Sequence, residues 1–303
     1  MDVMESQGSA NRVWDSGQYE LLDCGQGWKL ERFGGRLVQR PSPAASGKPR
    51  VPVSRWQPDD CIEQQGDASW VHHRPADQPW MIRWRSLQMQ LAFTPFGHLG
   101  VFPEHAWHWD WLQQQCHGAS IRQTPPSALN LFAYTGGASL ALADAGAQVA
   151  HIDSSKPAVA WARINAQHSL LSDRPIRWLV EDALKFCQRE VRRGSRYQLI
   201  VLDPPAYGHG PDGKRWQLDR DLPKLLECIG ELWADQPCGF LISGHGDENQ
   251  VAQMVRDSVS GWGSNFRSGW QSGRSTLSGS NFASLDAGFW VRWSPRSMSP
   301  HLG

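Results

Sequence analysis

Asp203-Pro204-Pro205-Ala206-Tyr207-Gly208 is the segment of this 303-residue chain with the most chemistry in the fewest residues. Two successive prolines hold φ at about −65° and remove two backbone donors, leaving carbonyl oxygens to accept from an amine or to face a cation. With a carboxylate before them and the Tyr207 ring after, they form a cup for a planar, nitrogen-bearing group. Ala133-Tyr134-Thr135-Gly136-Gly137-Ala138 offers a glycine pair that lets backbone approach a ligand at the start of a helix. Asp153 follows Gly136 by 17 residues, a spacing at which an acid receives both hydroxyls of a ribose or else caps a helix beginning at Ser154 or Ser155. Asp182, in Glu181-Asp182, either receives an adenine amino group or caps the next helix. The glycine pair is not GxGxxG, which argues against a nicotinamide-dependent dehydrogenase.

These segments meet only if each follows a strand of one parallel sheet. From Pro125 onward apolar runs alternate with amphipathic stretches, the pattern of βαβ units. Strands are predicted at 128–132, 148–153, 176–180, 198–202 and 239–243. Helices are predicted at 137–145, 155–168, 182–193, 221–233 and 248–258, and a Gly/Ser-rich loop from Gly269 should close on a last strand, 288–293. The fold class is α/β, a Rossmann-like doubly wound sheet, whose ligands bind beyond the carboxyl ends of the strands.

The front of the chain reads differently. Glu20 to Phe33 suggests a hairpin, Arg36 to Gln39 a third strand, and Trp80 to Phe93 a further pair. Pro41 to Pro52, with four prolines, must be loop. Residues 1–93 are therefore expected to form a small β-rich N-terminal domain with a disordered start, and 94–303 the α/β domain.

Asn130-Leu131-Phe132-Ala133-Tyr134-Thr135-Gly136-Gly137, Asp153, Glu181-Asp182-Ala183 and Asp203-Pro204-Pro205-Ala206-Tyr207 together resemble the class I S-adenosylmethionine-dependent methyltransferases akin to the ribosomal RNA large-subunit cytosine-5 enzymes. The resemblance is strong from Phe93 to Ser243. Gly100-Val101-Phe102-Pro103-Glu104-His105 stands where that family carries a Gly-x-Phe-Leu-Asp-Gln segment near the cofactor, and the front part resembles its accessory domain; a PUA-like domain has no counterpart. The resemblance implies S-adenosyl-L-methionine as cofactor, with Tyr134, Thr135 and Gly136 along the methionine moiety, Asp153 on the ribose and Asp182 on the adenine. Phe132, Ser154, Ala183 and Asp203 complete the implied cofactor-binding set, and Asp203, Pro204, Pro205 and Tyr207 the transfer site. One departure bears on the reaction: where the cytosine-5 enzymes carry a cysteine after the fifth strand, this chain has Gly244, in Ser243-Gly244-His245. Nitrogen methylation needs no covalent adduct, so the expected reaction is methylation of RNA, ribosomal by resemblance, at a nitrogen rather than cytosine C5. The rivals are a small-molecule or protein methyltransferase and a catalytically silent RNA-binding scaffold.

Composition bounds these readings. Lys plus Arg equals Asp plus Glu at 30 each, so an RNA partner needs a local basic patch. Six scattered cysteines without a CxxC pair fit reduced thiols, and Met1 to Arg12 lacks the apolar core of a signal peptide. With no apolar run of membrane-spanning length, a cytoplasmic protein with no membrane partner is expected. Glu104, His105 and His108 have metal-like spacing but no third element to join them, and docking of the neighbouring tryptophans is the better explanation. The Arg189, Arg192, Arg193, Arg196 run is either a phosphate site or a solvated helix end. His245 is either an acid–base group or an exposed loop residue, and 209–216 is expected to be a lid.

Overall fold

The computed structural model describes residues 14–62, 69–75, 79–120, 124–209, 215–279 and 284–295. The start expected to be disordered lies outside these, as does the middle of the expected lid. Tyr19–Gly25 (β1), Trp28–Phe33 (β2) and Arg36–Pro41 (β3) form the anticipated hairpins. Their two-residue loops, Gln26-Gly27 and Gly34-Gly35, have positive φ throughout, as the right-handed strand twist requires. Asp60–Ile62 (β4) and Trp70–His72 (β5) extend the sheet in the order β1-β2-β3-β4-β5 and were not foreseen. Charge rather than β-propensity pins them: Arg36 grips Asp60 through Nε and Nη2, both at 2.8 Å, and His72 Nδ1 lies 2.8 Å from the same carboxylate.

Met81–Trp84 (β6) and Leu87–Gln90 (β7) make a separate hairpin. A 3-10 turn, Pro103–His105, leads into Ala106–Ser120 (α1). Then come Ser127–Leu131 (β8), Gly137–Asp144 (α2), Gln148–Asp153 (β9), Lys156–His168 (α3), Ile176–Val180 (β10), Ala183–Arg192 (α4) and Leu199–Leu202 (β11). A small hairpin, Tyr207–His209 (β12) with Arg215–Gln217 (β13), precedes Leu218–Gly230 (α5), Gly239–Gly244 (β14) and Glu248–Val259 (α6). Trp270–Leu277 (β15) and Leu285–Trp293 (β16) end the described chain.

The large sheet has the order β10-β9-β8-β11-β14-β16-β15, parallel except where β16 runs against β14 and β15. The chain works outward from β8 to β10 and then returns beside β8 with β11, so the switch point lies between β8 and β11. Burial on both faces makes the central strands continuously apolar. In β11, Ile200 and Leu202 pack with Phe186, Leu222 and Val251 of α4, α5 and α6, whereas Leu199 and Val201 pack with Leu112 of α1 and Leu142 of α2. No helix among the described residues is long and apolar enough to cross a membrane.

Two expectations are corrected here. The helix expected at 221–233 starts and stops three residues earlier, because Asp221 accepts from Gln217 N–H at 2.9 Å and fixes the start. Its expected end instead bridges to Tyr197, whose N–H donates to Leu232 O at 2.7 Å. Part of the stretch read as a Gly/Ser-rich loop is the edge strand β15, whose small residues stand opposite the large ones of β16, Gly273 against Trp290.

The front sheet carries a buried ionic cluster. Glu31 accepts from Arg40 Nε at 2.7 Å and from Tyr19 Oη at 3.0 Å, with Lys29 Nζ at 3.2 Å. Burial alone would raise the Glu31 pKa, but the Arg40 and Lys29 charges overcome it and bring it down to about 2. A carboxylate depressed in the folded state stabilises fully above its unfolded pKa and loses that contribution as pH falls toward the folded value. Glu31→Gln should therefore cost about 3 to 5 kcal/mol at pH 7, the penalty for breaking a buried pair. In urea titrations its gap from the wild type should narrow as the pH is lowered from 5 to 3; a pH-independent gap would count against the assignment.

Candidate active site

After β8 the backbone turns through an unfavourable path: Phe132 and Tyr134 have φ of 56° and 47°, and Gly136 has 94°. Left-handed backbone in bulky residues costs on the order of 1 to 3 kcal/mol each and persists only where surroundings enforce it. The enforcement is visible. Tyr134 N–H donates to Asp153 Oδ2 at 2.7 Å, Thr135 Oγ1 to Gly100 O at 2.5 Å, and Asn165 Nδ2 to Thr135 O at 2.9 Å. Asn165, fully buried on α3, also accepts from Gln90 N–H at 2.8 Å, so one side chain ties β7, α3 and the loop together. Sequence reasoning missed Asn165; its signal was an amide beside Ala162 and Ala166 on the apolar face of a helix. Gly136 caps α2 in a left-handed conformation, where a Cβ would also meet Ala162 Cβ at 3.0 Å.

Two clefts open at this end of the sheet, and Phe132 borders both. One of about 370 Å³ is lined by Asp153, Ser154, Asp182, Ala183, Pro205 and Trp216. Each oxygen of Asp153 already accepts one backbone N–H, from Tyr134 and from Ser155 (2.8 Å), which leaves a lone pair on each for an incoming hydroxyl. Burial raises the Asp153 pKa, against the opposing effect of those two bonds. Ser155, not Asp153, caps α3, accepting from Ala158 N–H at 3.3 Å, so the acid is free of that role. Asp182 does cap α4, its Oδ1 accepting from Lys185 N–H at 2.9 Å, yet it also lines the cleft. Trp216 roofs the cleft, with its ring 4.9 Å from that of Phe132. A half-buried acid with two spare acceptor positions under an aromatic roof fits the ribose and base of an adenosine.

The second cleft, about 560 Å³, is lined by Phe102, His105, Tyr134, Thr135, Asp203 and Ser243 among others. Asp203 Oδ1 accepts from Ser243 Oγ at 2.8 Å, and His105 Nε2 stands 3.8 Å away. The expectation of free carbonyls after Asp203 needs correction: Pro205 O accepts the Trp216 indole N–H at 2.8 Å, and Ala206 O accepts from Leu218 N–H at 3.0 Å. Among the described residues only the Pro204 carbonyl of these three has no hydrogen bond, and it faces Gly244. Tyr207 starts β12 outside both clefts and is 75% exposed. A Cβ at Gly244 would stand 3.1 Å from the Phe289 ring and 3.4 Å from Pro204 O; no cysteine lines either cleft.

Other candidates resolve simply. His245 is exposed. Arg189 pairs with Glu181, and Arg193 with Glu190. Glu104 is buried near Lys29 and Arg40, and no metal-holding group of three ligands occurs among the described residues.

Residues 26–254 match the model of a family described as S-adenosylmethionine-dependent methyltransferase. The chain belongs to that family. It is similar to a solved SAM-dependent methyltransferase from Agrobacterium tumefaciens, with 35% identity and a TM-score of 0.85 over 94% of this chain and 93% of that one. Among curated proteins it is similar to ribosomal RNA large subunit methyltransferase K/L of Pseudoalteromonas translucida, 34% identical over 195 residues, and of Methylococcus capsulatus, 28% identical over 184. Those matches cover 64% and 59% of this chain but only 26% and 23% of the relatives, so it spans about a quarter of their length. The methyltransferase takes S-adenosyl-L-methionine as its cofactor, which supplies an electrophilic methyl group when bound. Asp153→Ala should weaken S-adenosylhomocysteine binding by about 1.5 to 3 kcal/mol in calorimetry, through loss of a charged acceptor. Because burial raises the Asp153 pKa and only the ionised acid accepts from both hydroxyls, wild-type affinity should fall on acidification at a higher pH than a solvated aspartate would give.

Proposed function

We propose that this methyltransferase modifies RNA at an amino or ring nitrogen, with Tyr134, Thr135 and Gly136 placing the methionine end of the cofactor, Asp153 and Asp182 the adenosine end, and Asp203 and Pro204 the acceptor. One observation carries the choice of nitrogen. Asp203 puts both carboxylate oxygens on the wall of a cleft lined by no cysteine, Oδ1 sharing a hydrogen bond with Ser243 and Oδ2 without one among the described residues. Two acceptors suit an amine that presents two N–H donors, whereas carbon methylation of a pyrimidine needs a nucleophile to activate the ring. Methyl transfer is an in-line displacement, so these residues act mainly by positioning and by excluding water.

The RNA part of the proposal draws on the curated relatives and on the surface beside the cleft. Exposed Tyr207 and the β12–β13 hairpin stand next to the acceptor turn, where an aromatic ring can stack on a base. Residues 1–93 serve in this reading as the accessory domain, and the protein works in the cytoplasm. Nucleoside mass spectrometry of ribosomal RNA from a strain lacking the protein should show loss of one N-methylated nucleoside, restored by the wild-type gene. Asp203→Ala should reduce transfer by on the order of 10²-fold or more while S-adenosylhomocysteine still binds. Loss of a C5-methylcytidine, or full activity of the variant, would refute the assignment.

A further inference from the structure

We propose that His105 is a catalytic residue of the transfer step, the group that takes the proton leaving the acceptor nitrogen. The inference rests on the nitrogen reading above. His105 ends the 3-10 turn Pro103–His105, which is fixed from several directions. Trp14 Nε1 donates to Pro103 O at 3.0 Å, Glu104 is buried beside the Lys29–Arg40 cluster, and Arg40 Nη1 donates to Gly97 O at 3.1 Å upstream. Packing also fixes the ring, whose centroid lies 5.7 Å from that of Phe102 and 6.0 Å from that of His108. His108 is buried, and desolvation together with the charges of His105 and Arg292 pushes its pKa well down, so it is neutral.

Within this frame the His105 imidazole has no hydrogen bond among the described residues. Its nearest polar contact is Asp203 Oδ1, 3.8 Å from Nε2, and both residues line the cleft of the acceptor turn. The same oxygen accepts from Ser243 Oγ at 2.8 Å, which holds Asp203 still. A ring so restrained, with its nitrogens unengaged next to the acceptor's own anchor, is placed to receive a proton from a bound molecule.

The step balances as follows. The acceptor nitrogen's lone pair forms the N–C bond while the methyl carbon's bond to sulfur breaks, its electron pair going to sulfur. The methylated nitrogen then loses a proton to His105, keeping the electron pair of the N–H bond, and the nearby Asp203 carboxylate offsets the charge gained by the ring. The side chain is 21% exposed, which gives the proton a route to solvent.

The test uses the full-length protein, radiolabelled S-adenosylmethionine and ribosomal RNA from cells lacking the protein, in single turnover. His105→Gln should slow transfer by about 10²-fold, in the range of a lost proton acceptor, while S-adenosylhomocysteine affinity by calorimetry stays within about threefold. Added 4-methylimidazole should accelerate His105→Gly about tenfold or more, a rescue that a merely structural role would not give. Near-wild-type transfer by His105→Gln overturns the proposal, as does a His105→Gly enzyme that binds S-adenosylhomocysteine normally but is not rescued. If His105→Gly does not fold, His105→Gln alone decides. A wild-type enzyme that marks a carbon, or transfers nothing to this RNA, overturns the reading above and this proposal with it. Nitrogen marking with no effect of His105→Gln overturns only the proposal.

Discussion

The Tyr134 N–H donates to Asp153 Oδ2 at 2.7 Å, and the carboxyl end of the sheet takes its form from that bond. It joins the loop after β8 to the end of β9, and it points the backbone N–H of a residue whose φ is otherwise unfavourable at a charged acceptor. A hydrogen bond to a charged group contributes about 1.5 to 3 kcal/mol. That is comparable to the strain of a single left-handed bulky residue, and the loop holds two. The remainder falls to Thr135 on Gly100 and Asn165 on Thr135, so the loop keeps its form through three bonds to three different parts of the chain.

Those bonds make the front of the molecule part of the site. Gly100 belongs to the segment between β7 and the 3-10 turn, and that segment is anchored through Gly97 to Arg40 and so to Glu31. A buried charge pair is stabilising only when every partner is satisfied, and here Tyr19, Lys29 and Arg40 all converge on Glu31. Hydrophobic contacts reinforce the link: Leu21, Phe33 and Val38 share one cluster with Ile82, Trp84, Trp109 and Leu140. The β-rich front is thus packed into the scaffold that shapes the cleft.

The sequence disclosed elements in proportion to how local their causes are. β9 matches the expected range because an apolar run buried in a parallel sheet announces itself, and β10, the edge strand, matches through its short β-branched and aromatic run. β4 and β5 have three residues each and are held by the reach of Arg36 to Asp60, a contact between positions 24 apart that no local pattern betrays. The same holds at the site. Asp153, Asp182 and Asp203 were readable because each follows a strand in a fold whose clefts lie there. That Ser243 and His105 flank Asp203, that Asn165 braces Thr135, and that Trp216 occupies the Pro205 carbonyl all depend on contacts between distant segments. Tyr207 is the converse case: close to Asp203 in sequence, it pairs with Gln217 in β12–β13 and its side chain is exposed outside both clefts.

The Trp216–Pro205 hydrogen bond has a thermodynamic corollary. Trp216 lines the cleft beside Asp153, and Pro205 belongs to the turn that begins at Asp203, which lines the other cleft. In the proposed reading, an acceptor that shifts that turn would act on Trp216 through this bond, and the reverse. Linkage requires the two effects to be equal in free energy. Under the proposed assignment, whatever cofactor in the Asp153 cleft adds to acceptor affinity, the acceptor returns to the cofactor, and the Trp216 indole is the contact that joins the two.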